Sequence, residues 1–194
     1  MSKCTYCDFC TKTICDKACP TLVESNYLYE RNGFTDSSTV LWEKPSAFDP
    51  VLPVLHSEYN LAVTVTDDTV RTANLLTYAA ISENWKGSRL HCTVYHLRLS
   101  TYIDNLQKSW GMKEAPEQLE YEQIWLTTAK ILIVSNMDYV QFKDFQAQTL
   151  LNIIQNRTSN GLKTIIVSPK IEHLIGQGMF YSRLQSILRE AVIK

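Results

Sequence analysis

From residue 58 onward the chain alternates short apolar runs with longer amphipathic stretches, and few folds accommodate that alternation. The runs are Leu61–Val65, Leu90–Leu97, Lys130–Val134 and Thr164–Val167, rich in Val, Ile and Leu and each about one strand long. A strand covered on both faces reads this way, because neither side of its pleat meets water. The stretches between them show helical spacing. Ala73–Trp85 places Leu75, Leu76, Ala79, Ala80 and Ile81 on one side, and Phe142–Arg157 does so with Phe145, Leu150, Ile153 and Ile154. Ser100 can cap a helix over 101–110, residues 111–127 read as a loop and helix, and Leu184–Ile193 reads as a terminal helix. Strands alternating with helices predict an α/β domain over 58–194, a parallel sheet flanked by helices on both faces.

Composition permits such a core. Of 194 residues, 45% are apolar and 20% charged, and the formal net charge is −1. A dedicated duplex-DNA binder carries a basic excess, because phosphate neutralisation supplies most of its affinity, and none is present. No apolar run approaches the roughly 18 residues of a membrane span. The polar N-terminus has no signal-peptide core, so the expected location is the cytoplasm.

Five of the six cysteines lie in the first 20 residues: Cys4, Cys7, Cys10, Cys15 and Cys19. A segment this short cannot bury a core, so bound metal would supply its folding energy. Reduced, clustered thiols in a cytosolic chain point to metal. Four thiolates in two close pairs suit a tetrahedral zinc site with Zn–S bonds of about 2.3 Å. Cys4, Cys7, Cys15 and Cys19 are the favoured ligands, with Cys10 as the alternative. An iron–sulfur cluster is the rival, since the first three cysteines and the Cys19-Pro20 ending echo a ferredoxin run, although the last gap is too long. Five free thiols are the third reading. Cys92, in a strand, reads as core.

The cysteine module and a helix starting near Pro20, with Leu22, Val23, Tyr27 and Leu28 on its apolar side, make a unit over 1–30. Asn32-Gly33 would stop that helix. Residues 31–57 contain Pro45, Pro50 and Pro53 and read as an extended linker.

A P-loop follows a strand, leads into a helix and reads G-x-x-x-x-G-K-[ST]; its glycines let backbone N–H groups wrap phosphates and its Lys offsets their charge. Residues 65–72 stand in that context, and Thr72 matches the final position. Val65 and Val70 replace the glycines, Arg71 replaces the Lys, and Asp67 and Asp68 put negative charge where phosphates would lie. The third strand should end in the acids that hold Mg²⁺; Ser135 and Asn136 stand there instead, and Asp138 lies too far along. This is a P-loop-type domain in which no nucleotide is expected.

The stretch from about Asn60 to Leu188 resembles the ATPase domain of bacterial and phage helicase loaders, the DnaC/DnaI-like branch of the AAA+ ATPases, with IstB-type transposition helpers as close relatives. Its landmarks are Leu97–Leu106 after the second strand and the helix to Gly161 bearing Gln148, Ile154, Arg157 and Asn160. The strand Thr164–Ser168 resembles the sensor-1 strand, and Ser182-Arg183-Leu184 resembles the segment that places an arginine finger. The cysteine module with its following helix resembles the N-terminal part of phage-encoded members. The resemblance implies an AAA+-like sheet and a replicative helicase as partner, contacted through the N-terminal module. Pro169 departs from the pattern by replacing the polar residue after the sensor strand.

Together these readings describe a replication accessory protein of loader type that does not use ATP, a pseudo-ATPase with no catalytic residues. Arg183 would then serve an interface, either with another copy or with an ATP-competent loader subunit, or be an ordinary surface arginine. The competing classes are a weakly active ATPase using Arg71 and Thr72, a helicase inhibitor, a zinc-dependent nucleic-acid-binding regulator, and an iron–sulfur redox protein. Tyr27, Tyr29, Trp42 and Phe48 could stack on single-stranded DNA, or pack the linker onto the domain. His56, His91, His96 and His173 are scattered, with no triad spacing, and read as structural or surface residues.

Overall fold

The computed structural model describes Asn32 and residues 49–66, 68–87, 94–112, 114, 116–169 and 178–193. The five N-terminal cysteines, the helix expected near Pro20, the aromatic residues Tyr27, Tyr29, Trp42 and Phe48, and Asp67, His91, Cys92 and His173 lie outside the described residues.

The elements follow in the order α1 (Leu52–His56), β1 (Leu61–Val65), α2 (Thr69–Gly87), β2 (Val94–Arg98), α3 (Leu99–Lys108), α4 (Glu117–Thr128), β3 (Ile131–Ser135), α5 (Asp144–Ser159), β4 (Lys163–Ser168), α6 (Met179–Ile187) and β5 (Arg189–Ile193). A 3-10 turn over Met137–Tyr139 follows β3. The strands form one sheet in the order β2-β3-β4-β1-β5, and every pairing is parallel. The four expected strands are all present, each as a short buried run.

Alternation along the strands sorts the core into two layers. Leu61, Val63 and Val65, with Ile133, Ile165 and Val167, face α1 and α2 and meet Leu76, Ala80 and Val54. Ala62, Leu132, Val134 and Ile166 face the opposite way, against Tyr102, Leu126, Leu150, Ile154 and Leu184 of α3–α6. Successive side chains of a strand point to opposite faces, so one run such as Ile165-Ile166-Val167 feeds both layers. This explains why these strands lack polar alternation in sequence.

Three readings need correction. Ser100 does not cap the helix after β2: α3 starts at Leu99 with Arg98 at its N-cap, and Ser100 lies inside its first turn. The C-terminal stretch is not one helix over 184–193: α6 ends at Ile187, and Arg189–Ile193 is an edge strand in parallel register with Leu61–Val65. An edge strand has one neighbour, so Arg189, Glu190 and Val192 stay exposed while Ala191 and Ile193 turn to the core. The stretch therefore lacks the continuous apolar signal of the central strands. The described end of the joining region is also not extended. Pro53 occupies the first turn of α1, where its missing N–H costs nothing, and Val51, Val54 and Leu55 are buried. The Lys163 ammonium caps this short helix by donating to the carbonyls of Val54 (2.8 Å), Leu55 (2.7 Å) and Ser57.

Arg157 near the end of α5 holds the opposite layer together. Its guanidinium is 1% exposed and donates to Leu126 O and Ala129 O (both 2.8 Å), Lys163 O (2.7 Å) and Thr164 Oγ1 (3.0 Å). One side chain thus satisfies backbone acceptors at the end of α4 and the start of β4. Burial lowers its pKa to about 10, which leaves it cationic at neutral pH.

Candidate functional site

In an open parallel sheet the place for chemistry is the edge formed by the carboxyl ends of the strands. Because β3, β4 and β1 are consecutive neighbours, that edge gathers three sequence landmarks: Val65 with the following loop, Ser135-Asn136, and Ser168-Pro169.

At the end of β1, residues 66–68 alone separate the strand from α2. The helix begins at Thr69, four residues earlier than the apolar spacing suggests, and Asp68 explains the early start. Its Oδ1 accepts the backbone N–H of Arg71 at 3.0 Å, and its carbonyl accepts that of Thr72 at 3.1 Å. This is N-capping geometry, with a side-chain oxygen taking up one of the free donors of the first turn. A P-loop needs those donors, and a longer glycine-bearing loop, for phosphate. Here the chain's own carboxylate takes one donor and places its negative charge at the positive end of the helix. Thr72 is 9% exposed and Arg71 is exposed.

At the end of β3, Ser135 is fully buried and its Oγ lies 2.7 Å from His96 Nε2 on the neighbouring strand β2. By alternation both side chains sit on the α2 face. Burial, and secondarily the charge of Arg98, pull the His96 pKa down to about 4, so the imidazole is neutral at physiological pH. His96 Nδ1 is buried without a hydrogen-bond partner. The position that would carry a metal-binding acid is thus a neutral hydroxyl engaged with a neutral ring. Asn136 adopts the left-handed conformation (φ 57°, ψ 34°), which asparagine tolerates better than most residues, and this turns the chain into the 3-10 segment that leaves Asp138 exposed.

Asn32 makes a second contact with this region. Its side-chain amide donates to Val94 O at 3.3 Å and accepts the His96 backbone N–H at 2.6 Å. One side chain so imitates a strand's peptide group along the outer edge of β2. Sequence alone offers Asn32 only as a helix stop, and offers His96 no partner, because both contacts span more than 30 residues.

At the end of β4, Ser168 is buried and Pro169 exposed. Arg183 lies exposed on α6. A cavity of about 400 Å³ opens on the β2–β3 side of the sheet, lined by Ser100, Asp104, Gln107, Tyr139, Lys143 and Gln146 among others. It shares no residue with the landmarks above. Among the described residues, no three His, Cys, Asp or Glu side chains converge to hold a metal ion, and no helix is long and apolar enough to cross a membrane.

No family model and no curated protein matches the sequence. Solved structures do match. A crystal structure of the DnaC helicase loader is similar at 15% identity and a TM-score of 0.51, covering 77% of this chain and 88% of that one. A candidate primosome component from Streptococcus pyogenes serotype M3 is similar at 14% identity and the same TM-score of 0.51, covering 91% of this chain and 90% of that one. At these identities the likeness is one of fold: the chain has a DnaC-like α/β fold, a five-stranded parallel sheet flanked by helices.

Proposed function

We propose that the protein is a replication accessory factor of helicase-loader type that engages a replicative helicase without binding or hydrolysing ATP. The observation that carries the nucleotide-independent part is Asp68, whose carboxylate caps α2 where a P-loop would present its N–H groups to phosphate. Ser135 supports it, because a buried hydroxyl bonded to a neutral imidazole cannot replace the carboxylate that holds Mg²⁺. The helicase as partner rests on the fold shared with the loader structure, and fold is an analogy for function rather than its source. Zinc on Cys4, Cys7, Cys15 and Cys19, with Cys10 as the alternative ligand, belongs to the same reading and is supported by the spacing of those thiols. Arg183, exposed on α6, is then an interface residue rather than a finger acting on this chain's own nucleotide.

Calorimetric titration with Mg²⁺-ATP tests the nucleotide part. The expected result is no saturable heat; binding at micromolar concentrations would overturn it. Co-elution with the cognate helicase tests the partner.

A further inference from the structure

A surface helix normally carries one apolar stripe, which it spends on the core. Helix α4 carries two. Leu119 and Leu126 lie on its inner side, 2% and 5% exposed. On the opposite side Tyr121 is 56% exposed and Ile124 is 54% exposed. At about 100° per residue, Glu117, Tyr121, Ile124 and Thr128 form one line, turned roughly half a circle away from the two leucines.

Three features distinguish this line from scattered surface apolar residues, which need no explanation. Tyr121 and Ile124 are three residues apart and so adjoin on the helix surface. The stripe also continues at reduced dehydration cost at its C-terminal end: Thr128 Oγ1 donates to Ile124 O at 2.8 Å, and Thr127 Oγ1 donates to the same carbonyl at 2.9 Å. Hydroxyls already paired with the helix lose little when water leaves. Finally, the charge that the helix itself carries has one sign. Every charged residue of α4 is a glutamate, with Glu117 and Glu120 exposed beside the stripe and Glu114 exposed just before it.

We propose that the outer face of α4, centred on Tyr121 and Ile124 and rimmed by Glu114, Glu117 and Glu120, is a docking surface for a basic amphipathic helix of a partner protein. The occupant's apolar side covers Tyr121, Ile124 and the threonine methyls, and its lysines or arginines meet the glutamates. An apolar centre with a charged rim gives affinity through the former and specificity and association rate through the latter. The acidic rim selects such a helix over nucleic acid, whose phosphates it would repel. This surface rests on α4 alone and does not depend on the helicase assignment.

The test uses the full chain and a fluorescent, lysine- and leucine-rich peptide designed as an amphipathic helix, against a scrambled peptide of the same composition. Hydroxyl-radical footprinting of Tyr121 accompanies the titration. The proposal expects saturable binding of the amphipathic peptide, protection of Tyr121 by it, and loss of about tenfold or more in affinity in both Tyr121→Ser/Ile124→Ser and Glu117→Lys/Glu120→Lys. All four substitutions are on exposed positions, and an unchanged thermal melt of each variant guards against misfolding. Equal binding of the scrambled peptide, or unchanged affinity in either variant, overturns the proposal. Protection of Tyr121 in the free monomer, or protection that grows with the chain's own concentration, also overturns it by assigning the face to this chain or to a second copy.

Discussion

Three side chains decide how this chain uses a familiar sheet. Asp68 fixes the start of α2 and places a carboxylate where phosphate-binding donors would be free. Replacing it by Ala should cost about 1 kcal/mol, as loss of an N-cap does, and Asp68→Asn should cost clearly less because Asn caps equally well; urea unfolding of the two variants checks this. His96 gives the chain an acid sensitivity of its own. Its folded pKa of about 4 lies below the ordinary value of 6.5, so between those values the unfolded state binds the extra proton. The stabilisation is therefore complete above pH 6.5 and is lost as pH falls to about 4, with an upper bound on the order of 3 kcal/mol. Unfolding free energies measured across that window should fall with pH in the wild type and flatten in His96→Gln. A parallel slope in the variant would place the titration elsewhere. Arg157 should be the costliest of the three. Arg157→Leu removes four buried hydrogen bonds at once, those to Leu126 O, Ala129 O, Lys163 O and Thr164 Oγ1, and a loss of about 3 kcal/mol or more is expected in thermal or urea melts.

The elements differ in how much of them the sequence reveals, and the difference follows from burial. β1, β3 and β4 are central or nearly so, and their unbroken apolar runs are legible because both faces are covered. β5 pairs on one side only, and its Arg189-Glu190 start with an exposed Val192 mimics the end of an amphipathic helix. Its one directional clue, inward Ala191 and Ile193, spans too few residues to separate period two from period 3.6. α1 is hidden by Pro50 before it and Pro53 within it, which read as breakers unless the N-terminal tolerance for Pro53 is recognised. Its cap comes from Lys163, more than 100 residues away in sequence, a contact no local pattern can show. Lys163→Met should loosen α1 and cost about 1–2 kcal/mol, and hydrogen exchange at residues 52–57 should rise more than at β3. The candidate site was legible in part for the same reason. The missing glycines and acids are local facts at Val65, Val70, Ser135 and Asn136, whereas the His96–Ser135 and Asn32–β2 contacts join separate parts of the chain.

At the scale of the whole molecule, two parts of different physical character share one chain. The α/β domain has a two-layer core. On the proposed zinc reading, the N-terminal cysteine segment, too short to bury a core of its own, takes its folding energy from the metal. Chelation should therefore release about one zinc per chain and leave the melting transition of the α/β domain in place, and Cys7→Ser should abolish metal binding. Retention of stoichiometric zinc in Cys7→Ser would exclude that residue as a ligand. The domain itself is a five-stranded parallel sheet with flanking helices, similar in fold to the loader structure, and Asp68 and the Ser135–His96 pair stand at the carboxyl edge of that sheet. Partner engagement that ignores nucleotide is the behaviour such a molecule would show. The direct measurement is co-elution of the purified, zinc-loaded protein with the cognate replicative helicase on a sizing column, with and without ATP. A complex of the same stoichiometry under both conditions is predicted. A complex that forms only with ATP, or none under either condition, would contradict a nucleotide-independent loader-type function.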